Sequence, residues 1–83
     1  MEERRIGVIG IILERPGEAQ AALNACISEA SEIVIGRMGI PYRERGVAAI
    51  ALLVDGSADQ INALTGKLGA LPGANVRSAL TKR

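Results

Sequence analysis

Three arginines and the chain's one phenol fall between positions 37 and 45: Arg37, Tyr42, Arg43 and Arg45, with Glu44 among them. A guanidinium offers a planar fork of donors that holds a carboxylate or phosphate through two parallel hydrogen bonds, and a phenol adds another donor. This grouping predicts a binding site for a small anion. The competing reading gives Arg37 an acidic partner across a subunit boundary and leaves the other three solvated. The remaining residues of catalytic type are isolated. Histidine is absent, which removes the usual general base of a nucleophilic triad. Cys26 is the single cysteine, so no intrachain disulfide can form and no zinc, nickel or haem site of ordinary ligand type can be assembled within one chain. The carboxylates (Glu14, Glu18, Glu29, Glu32, Glu44, Asp55, Asp59) show no acid/base spacing. The sequence therefore predicts no catalytic residue, no cofactor and no metal.

Two glycine motifs suggest phosphate chemistry and fail on position. Gly66-Lys67-Leu68-Gly69 has no glycine five residues before Gly66 and no Ser or Thr after Lys67, and it lies within or at the end of a helix rather than before one. Gly7-Val8-Ile9-Gly10 lies inside a strand, whereas a dinucleotide fingerprint sits at a strand-to-helix turn.

The elements that would position the arginines are read from apolar spacing. Val47-Ala48-Ala49-Ile50-Ala51-Leu52-Leu53-Val54 carries no charge, and neither of its alternating sets is polar. A half-exposed strand shows a polar residue at every second position, so this pattern predicts a strand covered on both faces. Ile6 to Leu13 predicts another, with Gly7 and Gly10 as gaps of the kind that admit a neighbouring backbone or partner side chain. Arg15-Pro16-Gly17 breaks that strand. From Glu18 to about Ser31, Ala19, Ala22, Leu23, Cys26, Ile27 and Ala30 recur at steps of three and four and predict a helix. Cys26 reads as a small core residue on that stripe. Glu32 to Ile40, with two glycines and Arg37, predicts a strand at a sheet edge. The turn over residues 41–46 joins it to the third strand as a hairpin.

Ser57-Ala58-Asp59-Gln60 is a capping box that opens a second helix with the stripe Ala58, Ile61, Leu64 and Leu68, continuing to Leu71. Gly66 and Gly69 weaken its last turn, which predicts either irregularity or close packing there. Leu71-Pro72-Gly73 ends it, and Asn75 to Leu80 predicts a fourth strand with Val76, Ser78 and Leu80 on one side and Arg77 and Thr81 on the other.

The order βαββαβ specifies an α+β, ferredoxin-like sandwich: a four-stranded, antiparallel-type sheet with two helices on one face. The first and third strands are expected at the centre as a parallel pair. Residues 1–83 are expected to form one domain. A chain of 83 residues buries only about 60–65% of its unfolded surface, and two helices cover one face of the sheet. The other face is left oily, which predicts an interface, most simply with a second copy of the chain.

Composition limits the remaining possibilities. Ten basic and nine acidic residues give a net charge of +1, and Tyr42 is the sole aromatic. Neither a bulk basic footprint nor stacking surfaces for nucleic acid are present. No stretch is long enough to span a bilayer, and Met1-Glu2-Glu3-Arg4-Arg5-Ile6 is a poor leader. A soluble, cytoplasmic protein is the expectation.

Ile35-Gly36-Arg37-Met38-Gly39-Ile40-Pro41-Tyr42-Arg43, taken with Leu64-Thr65-Gly66-Lys67-Leu68-Gly69, resembles a family of small proteins described as iron-only hydrogenase system regulators. The resemblance runs from Arg5 to about Thr81. It implies a ferredoxin-like domain similar to ACT domains and to the ligand-binding half of the nickel-responsive repressor, and association into dimers or larger assemblies. It brings no ligand and no catalytic residue. The nickel repressor's metal site depends on His and Cys, so nickel sensing is not carried over. Nor is its ribbon-helix-helix DNA reader, because only about five residues precede the first strand. The reading at this point is a non-enzymatic regulatory or sensor module. It works as a homo-oligomer (dimer or tetramer) with a small anionic effector at a subunit boundary near Arg37, Tyr42, Arg43 and Arg45. The alternative is a compact DNA-binding transcriptional regulator, with a small enzyme ranked last.

Overall fold

The computed structural model describes residues 3–83; Met1 and Glu2, the start of the segment weighed as a leader, lie outside the described residues. The chain forms β1 (Arg4–Leu13), α1 (Pro16–Glu29), β2 (Val34–Tyr42), a 3-10 turn (Arg43–Arg45), β3 (Val47–Ser57), α2 (Ala58–Gly69) and β4 (Ala74–Leu80). The four strands make one sheet in the order β2-β3-β1-β4. This is the ferredoxin-like arrangement, and β2 stands at an edge as its glycines and charge imply.

β1 and β3 are central, as expected, but they are antiparallel rather than parallel, from Arg4 opposite Ser57 to Leu13 opposite Ala48. The correction has a topological cause. Each helix returns the chain so that the next strand runs parallel to the one it left. In this fold each crossover skips one position, and the vacant place is taken by a strand of the other unit. The β2–β3 hairpin reverses direction, so β3 enters between β1 and β2 antiparallel to both. β4 likewise pairs antiparallel with β1.

The core lies between the sheet and the helices. Alternate residues of the central strands point into it: Ile9, Ile11 and Leu13 from β1, and Ala48, Ile50, Leu52 and Val54 from β3. Ala19, Leu23 and Ile27 of α1 and Ile61, Leu64 and Leu68 of α2 meet them. Cys26 and Ala30 are partly buried against this cluster, whereas Ala22, assigned to the same stripe, is exposed. The α1 stripe is narrower than its apolar spacing suggests.

Local signals account for the boundaries. Pro16 stands in the first turn of α1, where its missing N–H costs nothing. Ser57 Oγ accepts from Gln60 N–H at 3.1 Å, and Gln60 Oε1 accepts from Ser57 N–H at 2.9 Å, closing the capping box. Gly46 ends the 3-10 turn at φ +66°, a left-handed conformation that suits glycine. Gly66 and Gly69 neither disorder nor tighten α2. The helix continues through Gly69, and a Cβ at either position would meet nothing within 4 Å. No helix among the described residues is long and apolar enough to cross a membrane.

Candidate functional site

The strand registers determine where each polar side chain points, because residues directly opposite each other in a ladder share a face. Arg37 stands opposite Leu52, a core residue, so it lies on the helix-bearing side. There its Nη2 donates to Asn24 Oδ1 of α1 at 2.7 Å. Tyr42 stands opposite Val47, on the other side of the sheet, and its hydroxyl donates to Glu44 Oε2 at 3.1 Å. Arg43 and Arg45 are exposed in the 3-10 turn and make no ion pair among the described residues. One chain therefore does not bring the four together: Arg37 is on one face, Tyr42 on the other, and the two turn arginines project from the sheet end. Arg37 also lines a cleft of about 400 Å³ between the start of α1 and β2, with Gln20, Pro41 and Ile50.

The helix-free face presents a better-formed feature. Its rows run across the strands in the order β2, β3, β1, β4. One row is Ile40, Ala49, Ile12 and Asn75; the next is Met38, Ala51, Gly10 and Arg77; the next is Gly36, Leu53, Val8 and Ala79. Small residues at Ala49, Ala51 and Gly10 make the floor of a groove. Met38 and Ile40 form its wall on the β2 side, and Asn75 and Arg77 stand at the β4 side. The groove encloses about 540 Å³. Among the described residues, seven large apolar or aromatic side chains lie on this face: Ile6, Val8, Ile12, Met38, Ile40, Tyr42 and Leu53, each 39 to 64% exposed. A patch of this extent on a small chain marks a binding surface.

Charge is confined to the margins of that face. Arg4 Nε pairs with Asp55 Oδ1 at 3.2 Å at one end, and Tyr42 meets Glu44 at the other. Arg77 stands at the β4 rim, where its Nη1 donates to the Val76 carbonyl at 2.9 Å and no carboxylate pairs with it among the described residues. The groove and the rim position of Arg77 were not singled out from sequence. The signal was present in the alternation that put Arg77 opposite Val76 across β4, but which strand Arg77 would border is a tertiary fact. No group of three or more His, Cys, Asp or Glu residues able to hold a metal occurs among the described residues.

Comparison with known proteins bears on the whole chain. Residues 5–78 match a family model described as "TM1266-like: Iron-only hydrogenase system regulator, putative". The chain belongs to this family. The structure of the uncharacterized protein TM1266 from Thermotoga maritima superposes with a TM-score of 0.91 at 34% identity, over 96% of this chain and 100% of that one. More distant likenesses show the fold alone. A CPII protein from Thiomonas intermedia K12, bound to ADP, AMP and acetate, aligns with a TM-score of 0.52 at 16% identity, covering 98% of this chain and 93% of that one. The divalent ion tolerance protein CutA1 from Ehrlichia chaffeensis gives 0.52 at 13% identity, covering 99% and 86%. A search of curated proteins found no match. The ferredoxin-like fold of the TM1266-like family is thus this chain's own, and the family's description is that of a regulator of an iron-only hydrogenase system.

Proposed function

We propose that this TM1266-like chain is a non-enzymatic regulatory module, a single cytoplasmic domain over residues 1–83 that works as a homo-oligomer. One observation carries the reading: a sheet face with seven large exposed apolar or aromatic side chains, with its charges at the margins. Leaving such a face in water is costly, at about 25 cal/mol per Å² of apolar surface, and a second copy removes it from water without requiring another gene product.

A small anionic effector at the boundary between copies is the finer part of the proposal. Because Arg37 and Tyr42 lie on opposite sides of one sheet, an anion held by Arg37, Tyr42, Arg43 and Arg45 would draw them from more than one chain. Its binding would shift the assembly by differential affinity for its states. ADP, AMP and acetate, bound by a protein of the same fold, are reasonable first probes.

Light scattering on the purified chain tests the assembly. The expected result is a mass above the 8.7 kDa of one chain for the wild type and a return to one chain for Met38→Asp with unchanged circular dichroism. A wild type that stays single at about 100 µM would overturn the reading. A thermal-shift panel with nucleotides, acetate and phosphate tests the effector, since a ligand at 100 times its Kd stabilises by about 2.7 kcal/mol. The exposed Arg43 and Arg45 also favour the second reading, a compact DNA-binding regulator. A gel shift at low salt, abolished by replacing both arginines, would support it.

A further inference from the structure

The two strand glycines near the centre of β1 are small for different reasons. A Cβ on Gly7 would come within 2.7 Å of Leu80 Cδ2 and 2.8 Å of the Ala79 carbonyl oxygen, so the chain itself forbids one. A Cβ on Gly10 would meet only the Arg77 carbonyl oxygen, at 3.9 Å. The chain has room for a side chain at Gly10 and carries none, although glycine weakens a strand interior. The vacancy is open to whatever covers that face. It lies on the helix-free face, two strands away from the most exposed large apolar side chain, Met38, and in the same row.

We infer that this face packs on the same face of a second copy about a two-fold axis running along β3, with Met38 of each chain seated over Gly10 of the other. The inference rests on the homo-oligomer reading above and specifies its surface and geometry. Rotation about that axis lays β2 on the partner's β1 and β3 on its counterpart. Met38 then faces the gap at Gly10, and Val8 of one chain faces Gly36 of the other, where a Cβ would already stand 3.5 Å from Leu53 Cδ1. Ala49 and Ala51 meet their own copies near the middle of the axis, and Val47 and Leu53 meet theirs toward its ends. β4 overhangs, so both Arg77 guanidiniums reach water past the partner's β2 edge. The other simple axis, across the strands through the Met38–Arg77 row, would set Met38 on Met38 and Arg77 on Arg77. That stacks like charges at an apolar contact, which is strongly disfavoured. Aligned sheets pack at about −30° and about 10 Å apart, so the pairing holds row by row near the axis.

Cross-linking tests the geometry in a Cys26→Ser background. Met38→Cys and Gly10→Cys are made in separate chains, so that no intrachain bond is possible, and treated alone and mixed with a short dithiol-bridging reagent, because facing sheets about 10 Å apart hold opposed thiols beyond the reach of a direct disulfide. The mixture is expected to give a covalent heterodimer, with each variant alone giving little. Efficient cross-linking of Met38→Cys with itself would instead establish the across-strand axis and overturn the inference while leaving the oligomer intact. Absence of cross-links from a chain that light scattering shows to be oligomeric would overturn it too, placing the contact at a sheet edge or on the helices. A second variant gives an independent readout: Gly10→Leu fills the vacancy, and we expect the mass to fall to one chain with native circular dichroism. An oligomer that survives Gly10→Leu would also count against the inference. If the wild type itself is a single chain, the homo-oligomer reading fails and this geometry with it.

Discussion

At the scale of single residues, Gly7 and Gly10 separate two causes that look identical in a sequence. Both interrupt the same apolar run three positions apart, but only Gly7 is hemmed in by its own chain. Gly7→Ala must push the Ala79 backbone aside, at a cost of about 1–3 kcal/mol typical of overpacking. Gly10→Ala should leave the stability of the single chain unchanged or raise it by about 0.5–1 kcal/mol, because alanine restricts the unfolded chain more. Urea denaturation of the two variants at concentrations low enough to suppress association checks the contrast; equal losses would remove it. Arg37 teaches a similar lesson. Its grouping with Tyr42, Arg43 and Arg45 suggested an anion ligand; strand register turns it toward α1 and gives it Asn24 as a partner within the chain. Whether an arginine on an edge strand faces helices or water depends on which strand lies beside it, and spacing alone does not say.

At the scale of elements, the second helix was the most legible from sequence. Ser57 and Gln60 announce its start, and both reciprocal bonds are formed. Ser57→Ala removes one of them and should cost about 1 kcal/mol, lowering Tm by roughly 4–8 °C for a domain of this size. Calorimetry checks this, and a change under 1 °C would show that the cap contributes little. Gly66 offers the opposite experiment. It lies inside the helix with open space around its missing Cβ, so Gly66→Ala should stabilise by up to about 1 kcal/mol. The same chemical denaturation series reads that gain. The first helix was less legible, because alanine is compatible with either side. Ala22 fits the apolar spacing but is exposed, and the buried stripe reduces to Ala19, Leu23 and Ile27. Strand β2 kept its edge position but acquired an irregularity between Val34 and Gly36. The extra residue, Ile35, is exposed, and the bulge shifts the alternation that follows. Beyond it Met38, Ile40 and Tyr42 face the open side of the sheet.

At the scale of the whole molecule, a chain of net charge only +1 with a wide apolar face should associate through dehydration rather than charge. Raising salt from about 0.05 to 0.5 M compresses the Debye length severalfold, yet the midpoint of the assembly, followed by light scattering against concentration, should move less than threefold. A steep loss with salt would point to contacts through Arg43, Arg45 or Arg77 instead. The sequence by itself determined the element order, the identity of the core strands and the shortage of cover for the sheet, because these follow from apolar period, caps and length. It also made the family resemblance readable, in Gly36 to Arg43 and Leu64 to Gly69. Only the tertiary structure decided that β1 and β3 run antiparallel, that Arg37 and Tyr42 part company across the sheet, and that Ala49, Ala51 and Gly10 adjoin to floor a groove. Periodicity reports which way a side chain points from its own strand. The neighbour it meets comes from pairing between distant segments, 67 residues apart in the case of Gly10 and Arg77, and no local pattern contains that.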